Sequence, residues 1–181
     1  MGLENVRRSL TVSEPAVVFH AGLLARQPPS ALALEQVLSH YFAVPVQVDQ
    51  FAGSWSPVRA GELTSLDDDA ASPSNALGDG ALVGDEVWDP QGGLRLRIGP
   101  LSREQFDAFL PGGSGHEPLR SLTRLATRGQ FDVEAQLVLS REAVPALVLG
   151  GGDEEPGRLG WTTWLRSRPL ELNPDDTTFC L

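Results

Sequence analysis

Apolar residues along this chain recur with two periods, and the alternation between them outlines the elements. Behind Ser30, the run "ALALEQVLSHYF" places Leu34, Val37, Leu38, Tyr41 and Phe42 at i, i+3, i+4 and i+7 spacing, which predicts a capped helix with one buried face. "VPVQVDQF" then sets Val44, Val46 and Val48 against Gln47 and Asp49, the period of a half-buried strand, and Phe51 slips phase as a bulge allows. "ALVGDEVWD" and "LRLRIG" read as two strands joined through "PQGG" as a hairpin, with Leu94, Leu96 and Ile98 on one face and Arg95 and Arg97 on the other. "SREQFDAFL" carries a capping box from Ser102 to Gln105 and an apolar face of Phe106, Phe109 and Leu110. Pro118 suits the first turn of a further helix with the stripe Leu119, Leu122, Leu125 and Ala126. "FDVEAQLVL" alternates Phe131, Val133, Ala135 and Leu137 against polar partners, and "LGWTTWL" reads as a last strand.

The order of these elements repeats: helix, short connection, alternating strand, polar loop, then a glycine followed four residues later by tryptophan. Gly84 and Trp88 carry the motif first, Gly160 and Trp164 second, and Val46 and Val133 take matching places in the two strands. The expected fold is therefore α+β, with two similar helix-plus-antiparallel-strand units packed as a pseudo-duplicated domain with long protruding loops. Residues 1–29 would connect, 30–101 would form the first repeat with its acidic loop, and 102–181 the second repeat and a C-terminal tail. Two such copies bury each other's apolar faces, which makes Gly84, Trp88, Gly160 and Trp164 the expected repeat core. Chance is the competing explanation, because Gly-x-x-x-Trp is a weak motif.

Composition narrows the chemistry. The 181 residues can bury a core of their own, and the 14 basic residues stand against 24 acidic ones for a net charge of −10. All 14 are arginine. Without lysine there is neither a phosphate-binding P-loop nor Schiff-base catalysis, and an acidic chain repels nucleic acid and anionic lipid. The one cysteine, Cys180, rules out an intrachain disulfide and a cysteine-rich zinc site. No apolar run reaches the length of a membrane span, "MGLENVRRSLTV" lacks the core of a signal peptide, and Val6 stands where a myristoylation signal needs Ser or Thr, so a soluble, cytoplasmic protein is expected. Between Ala60 and Leu94 lie eight acidic residues and no basic one before Arg95, which reads as a long charged loop.

The motifs that resemble active sites each fail at one position. "GGSGH" has His116 where a nucleophile elbow needs glycine, and "HEPLR" has Arg120 where a zinc-protease helix needs its second histidine. His20, His40 and His116 stand far apart in sequence, "DDDAASPSNALG" lacks the ligands of a calcium loop, and "GGGDEE" lacks the strand-to-helix setting of a dinucleotide site. A hydrolase built on Ser114 and His116 would have only Glu117 as its acid. No catalytic residue, cofactor or metal site is expected. Arg95 and Arg97 could pair with acidic partners, but the solvated strand face is the favoured reading. Trp55, Trp88, Trp161 and Trp164 read as core, although aromatics beside long loops are enriched at interfaces. The runner-up function is a small-ligand or peptide binding module using Trp161 and Trp164.

The segments "AGLLARQPPSALALEQVLSHYFAVPVQVDQFAGSW", "LVGDEVWDPQGGLRLRIGPLSREQFDAFLPGG", "FDVEAQLVLSREAVPALVLGG" and "LGWTTWL" together resemble the C-terminal half of the TssG family of bacterial type VI secretion baseplate subunits, over about residues 14 to 165. Family members run to about twice this length. The resemblance implies a structural adaptor without enzymatic activity that joins two copies of TssF in a wedge. The wedge carries TssK trimers toward the membrane complex, at the cytoplasmic face of the inner membrane. It also implies two protruding segments, each gripped by a TssK trimer. Ala52 to Leu82, with anchors Trp55, Pro57, Val58 and Leu63, and Ser140 to Arg158, with Val144, Pro145 and Leu147, are the expected pair.

Overall fold

The computed structural model describes residues 14–25, 29–64, 75–78, 80–146, 157–165 and 170–181. Two short helical segments, α1 (Glu14–Phe19) and α2 (Ala21–Leu24), lead into α3 (Ala31–Phe42). Ser30 caps α3 as its position predicts, its Oγ accepting from the Ala33 N–H at 3.2 Å. Strands β1 (Val46–Gln50), β2 (Ser54–Pro57), β3 (Glu86–Asp89) and β4 (Gly93–Leu101) follow, then helices α4 (Arg103–Phe109) and α5 (His116–Thr127), and strands β5 (Asp132–Leu139) and β6 (Thr177–Cys180). The capping box that opens α4 is formed in full: the Gln105 N–H donates to Ser102 Oγ, and the Ser102 N–H donates to Gln105 Oε1.

Four strands make one mixed sheet in the order β1-β4-β5-β6, with β4 and β5 parallel and both outer pairs antiparallel. The parallel pair requires a crossover, and α4 and α5 supply it. One face of the sheet presents Val46, Val48, Leu96, Ile98, Ala135, Leu137 and Phe179 to the apolar stripes of the helices, including Leu34, Leu38, Phe106, Leu119 and Leu122, in one buried cluster. The other face is polar, and there Arg95 pairs with Glu134 at 2.7 Å and Arg97 with Asp175 at 2.8 Å. Of the two readings open for these arginines, pairing with carboxylates is the one found, and both are half-buried. Strand β1 lies at the sheet edge, yet two of its outward N–H groups are taken: Val46 N–H donates to Ser39 Oγ and Val48 N–H to Glu35 Oε1, both from α3. This covers the edge against pairing with another chain.

The expected β3–β4 hairpin through "PQGG" does not form. Instead β2 pairs with β3 in a separate two-stranded ribbon, Ser54 opposite Asp89 through Pro57 opposite Glu86. The β1–β4 ladder ends with Gln50 opposite Leu94, so β1–β2 and β3–β4 are the two limbs of one long antiparallel ribbon whose register slips by one residue between the ladders. At the slip, Phe51 takes a positive φ of 60°, and the Ala52 N–H donates to the Gly93 carbonyl at 3.1 Å. The lower half of the ribbon belongs to the sheet. The upper half is paired only with itself.

The α+β class holds, but the glycine–tryptophan echo does not mark equivalent places. A helix followed by an antiparallel strand pair does occur twice, as α3–β1–β4 and α5–β5–β6. In the second case the returning strand is Thr177–Cys180, while "LGWTTWL" is a turn without strand pairing. Across the sheet the strands run up, down, down, up, with both helices on one face, which is not the order that two superposed copies would give. Trp88 lies on an exposed strand, whereas Trp164 packs on Phe106 with ring centroids 5.7 Å apart. Gly84 and Gly160 share a left-handed backbone, with φ 99° and 81°, and their resemblance ends there.

Candidate functional site

The ribbon projects the largest exposed aromatic pair of the described residues. Trp55 and Trp88 stand directly opposite each other on β2 and β3, their rings edge to face with centroids 5.4 Å apart at 61°. They are 61% and 48% exposed, so both leave the core to which their size had assigned them. Residues two apart on a strand share a face, so Pro57 and Glu86, themselves opposite each other, extend the same surface. The ribbon's glycine makes this arrangement possible. A side chain on Gly53, whose φ is +57°, would collide with the Trp88 ring, so the indole lies where a Cβ would be. The Val58 N–H closes the ribbon by donating to the Asp85 carbonyl at 2.8 Å.

Beyond the ribbon the chain is held at its return. Thr64 Oγ1 accepts from the Leu82 N–H at 3.0 Å and donates to the Leu82 carbonyl at 2.9 Å, which brings the two ends of the acidic loop together next to half-buried Leu63. Among the described residues, no arginine pairs with Asp85, Glu86 or Asp89; the nearby Arg59 turns to Glu62 at 3.6 Å. The ribbon and loop thus join apolar rings to uncompensated negative charge. The middle of the loop, including Asp67 to Asp69, lies outside the described residues.

The second expected docking segment is built differently. Val144 is 3% exposed and belongs to the hydrophobic core, Pro145 is exposed, and Leu147 lies outside the described residues. The root of this segment is tied to the C-terminal strand approach: the Arg141 N–H donates to Asn173 Oδ1 at 3.0 Å and the Leu139 N–H to the Pro174 carbonyl at 3.0 Å. Trp161 and Trp164 do not face each other as a cage would. Trp161 lies against Phe179 at 6.3 Å and Trp164 against Phe106, so their rings are spent on the core, and Arg158 lies over the Trp161 ring at 6.0 Å.

Sequence spacing missed one contact altogether. His20 and His40, 20 residues apart, meet through Nε2 and Nδ1 at 3.2 Å, with Phe19 stacked on the His40 ring at 5.0 Å. His20 is buried, and burial first, then His40, lowers its pKa from the ordinary imidazole value of 6.5. This pair ties the α1–α2 segment to α3. His116 opens α5 beside Phe179, away from both. Among the described residues, no group of three or more His, Cys, Asp or Glu could hold a metal ion, and no helix is long and apolar enough to cross a membrane.

Comparison with known proteins places this architecture. No curated protein matches the chain. A solved chain from the cryo-electron microscopy structure of a type VI secretion system TssK-TssF-TssG baseplate subcomplex shares the fold, with a TM-score of 0.67 at 16% identity over 98% of this chain and 72% of that one. The family model for type VI secretion, TssG, matches residues 1–166. On that match, which takes in the helices, the mixed sheet up to β5 and the projecting ribbon, the chain belongs to the type VI secretion TssG family.

Proposed function

We propose that this chain is a structural adaptor of the type VI secretion baseplate wedge, binding two copies of TssF and docking TssK trimers through projecting segments. Family membership and the likeness to a chain of a TssK-TssF-TssG subcomplex support the partners. The observation that carries the docking role is the Trp55–Trp88 pair, two large rings held at the surface on a ribbon that pairs only with itself. Exposed aromatics clustered on a small surface are the residues that dominate protein–protein affinity. Trp55, Pro57, Val58 and Leu63 are the anchors of the first segment. In the second, Pro145 and Leu147 face the partner while Val144 fixes the root in the core.

On this reading the chain acts by binding and not by catalysis, in the cytoplasm against the inner membrane. Membership of a family of secretion-baseplate subunits supports this reading. Removing Glu62 to Gly80 is the direct test. The shortened chain should keep its melting temperature and its hold on TssF while capture by immobilised TssK falls at least about tenfold; undiminished capture would remove Leu63 and the acidic loop from the proposal, and replacing Trp55 and Trp88 by alanine then tests the anchors that remain.

A further inference from the structure

We infer that the outer face of the ribbon is a receptor for guanidinium or ammonium groups, held over the Trp55–Trp88 pair and beside the Glu86 carboxylate. The inference deepens the docking role proposed above, and it states the chemistry that a partner must bring. An indole ring carries a negative π face, and Trp55 and Trp88, both well exposed, offer π surface that attracts cations. Glu86 shares that face, while Asp85 and Asp89, one residue out of step, project from the opposite face of the ribbon and add to the negative potential around it. Each of these carboxylates lacks an arginine partner among the described residues. Asp89 Oδ1 accepts the Gln91 N–H at 2.9 Å, a neutral donor that leaves its charge in place.

Charge complementarity selects the occupant. A purely apolar partner would cover the rings but strip water from the Glu86 carboxylate without replacing it, which is costly. A strand or helix bearing arginine or lysine satisfies both halves of the surface, the ring by cation–π contact and the carboxylate by charge-assisted hydrogen bonds. The site is also pre-set. Because Gly53 has no side chain, the Trp88 ring packs against the opposite strand of the ribbon, and a ring held by its own ribbon loses little freedom on binding.

The test uses the full chain and two readouts. In the first, the indole Nε1–H signals are followed by NMR while a hexa-arginine peptide is titrated, with a glycine–serine peptide as control. Trp55 and Trp88 should shift and saturate while Trp161 and Trp164 stay in place. Replacing both exposed tryptophans with leucine, which keeps much of the apolar area but removes the indole faces, should weaken binding roughly tenfold. Equal shifts at all four tryptophans, or none, would overturn the inference whatever the partner proves to be. In the second readout, capture by TssK is compared for wild type, the double leucine variant and Glu86→Gln with Asp85→Asn. Loss of affinity in both variants, with a flatter salt dependence in the second, supports the inference. If wild type binds TssK and both variants match it within about twofold, the contact is not cationic and the inference fails while the adaptor reading stands. If wild type binds no TssK, the adaptor reading fails, and the peptide titration still decides the chemistry of the surface.

Discussion

Trp55 and Trp88 differ from Trp161 and Trp164 in what surrounds their backbone, not in the residues beside them in sequence. Trp164 meets Phe106, which is fully buried, so Phe106→Ala should cost about 3–5 kcal/mol in denaturant unfolding. Trp88→Ala leaves no cavity in the core and should cost far less. The His20–His40 contact gives a second outcome at this scale. With the folded-state pKa of His20 lowered, the unfolded chain binds more protons between the two values, so the associated stability is complete above about pH 6.5 and is lost as pH falls below it toward the lowered value. Wild type should therefore lose more melting temperature between about pH 7.5 and about pH 5.5 than His20→Leu does, and equal losses would place the titration elsewhere. Local rules made the caps at Ser30 and Ser102 legible from sequence, because a cap involves neighbours three residues apart. The fate of each tryptophan and the meeting of the two histidines were not legible, because both depend on segments 16 or more residues apart.

At the scale of elements, period alone found α3, α4, α5, β1, β4 and β5 where they stand. It failed wherever pairing was non-local. "PQGG" looked like a hairpin turn between two apolar runs, yet β3 and β4 follow each other along one limb of the ribbon, and their partners lie across the acidic loop in β2 and β1. The close approach of the limbs at Gly53 and Gly93 marks the crossing point. A Cβ on Gly93 would press on the Gly53 backbone, so no larger residue fits the junction without a shift. Gly53→Ala should dislodge the Trp88 ring and strain a left-handed backbone, a loss of about 1 kcal/mol or more with a changed near-ultraviolet circular dichroism signal. The edge strand offers a further outcome. Glu35→Ala leaves the Val48 N–H without its acceptor and should cost about 1–3 kcal/mol, with self-association rising in sedimentation as β1 opens.

For the whole molecule, one four-stranded sheet and its helices form the body, and the upper ribbon is a handle that contributes little to it. The resemblance to TssG was legible in the sequence because it rests on long motifs in order. Hidden from any local pattern was that the first projecting segment is rooted in a stiff paired ribbon, because β2 and β3 pair across 28 intervening residues. Stiffness suits an adaptor, since a pre-formed surface loses less freedom on docking than a segment that must first order itself. The most direct measurement is size-exclusion chromatography of the full chain co-expressed with TssF and TssK, beside the chain lacking Glu62 to Gly80 and the chain with both Trp55 and Trp88 replaced by alanine. The account predicts that wild type elutes with both partners, and that the two variants stay folded and elute with TssF but separate from TssK. Retention of TssK by both altered chains would contradict it.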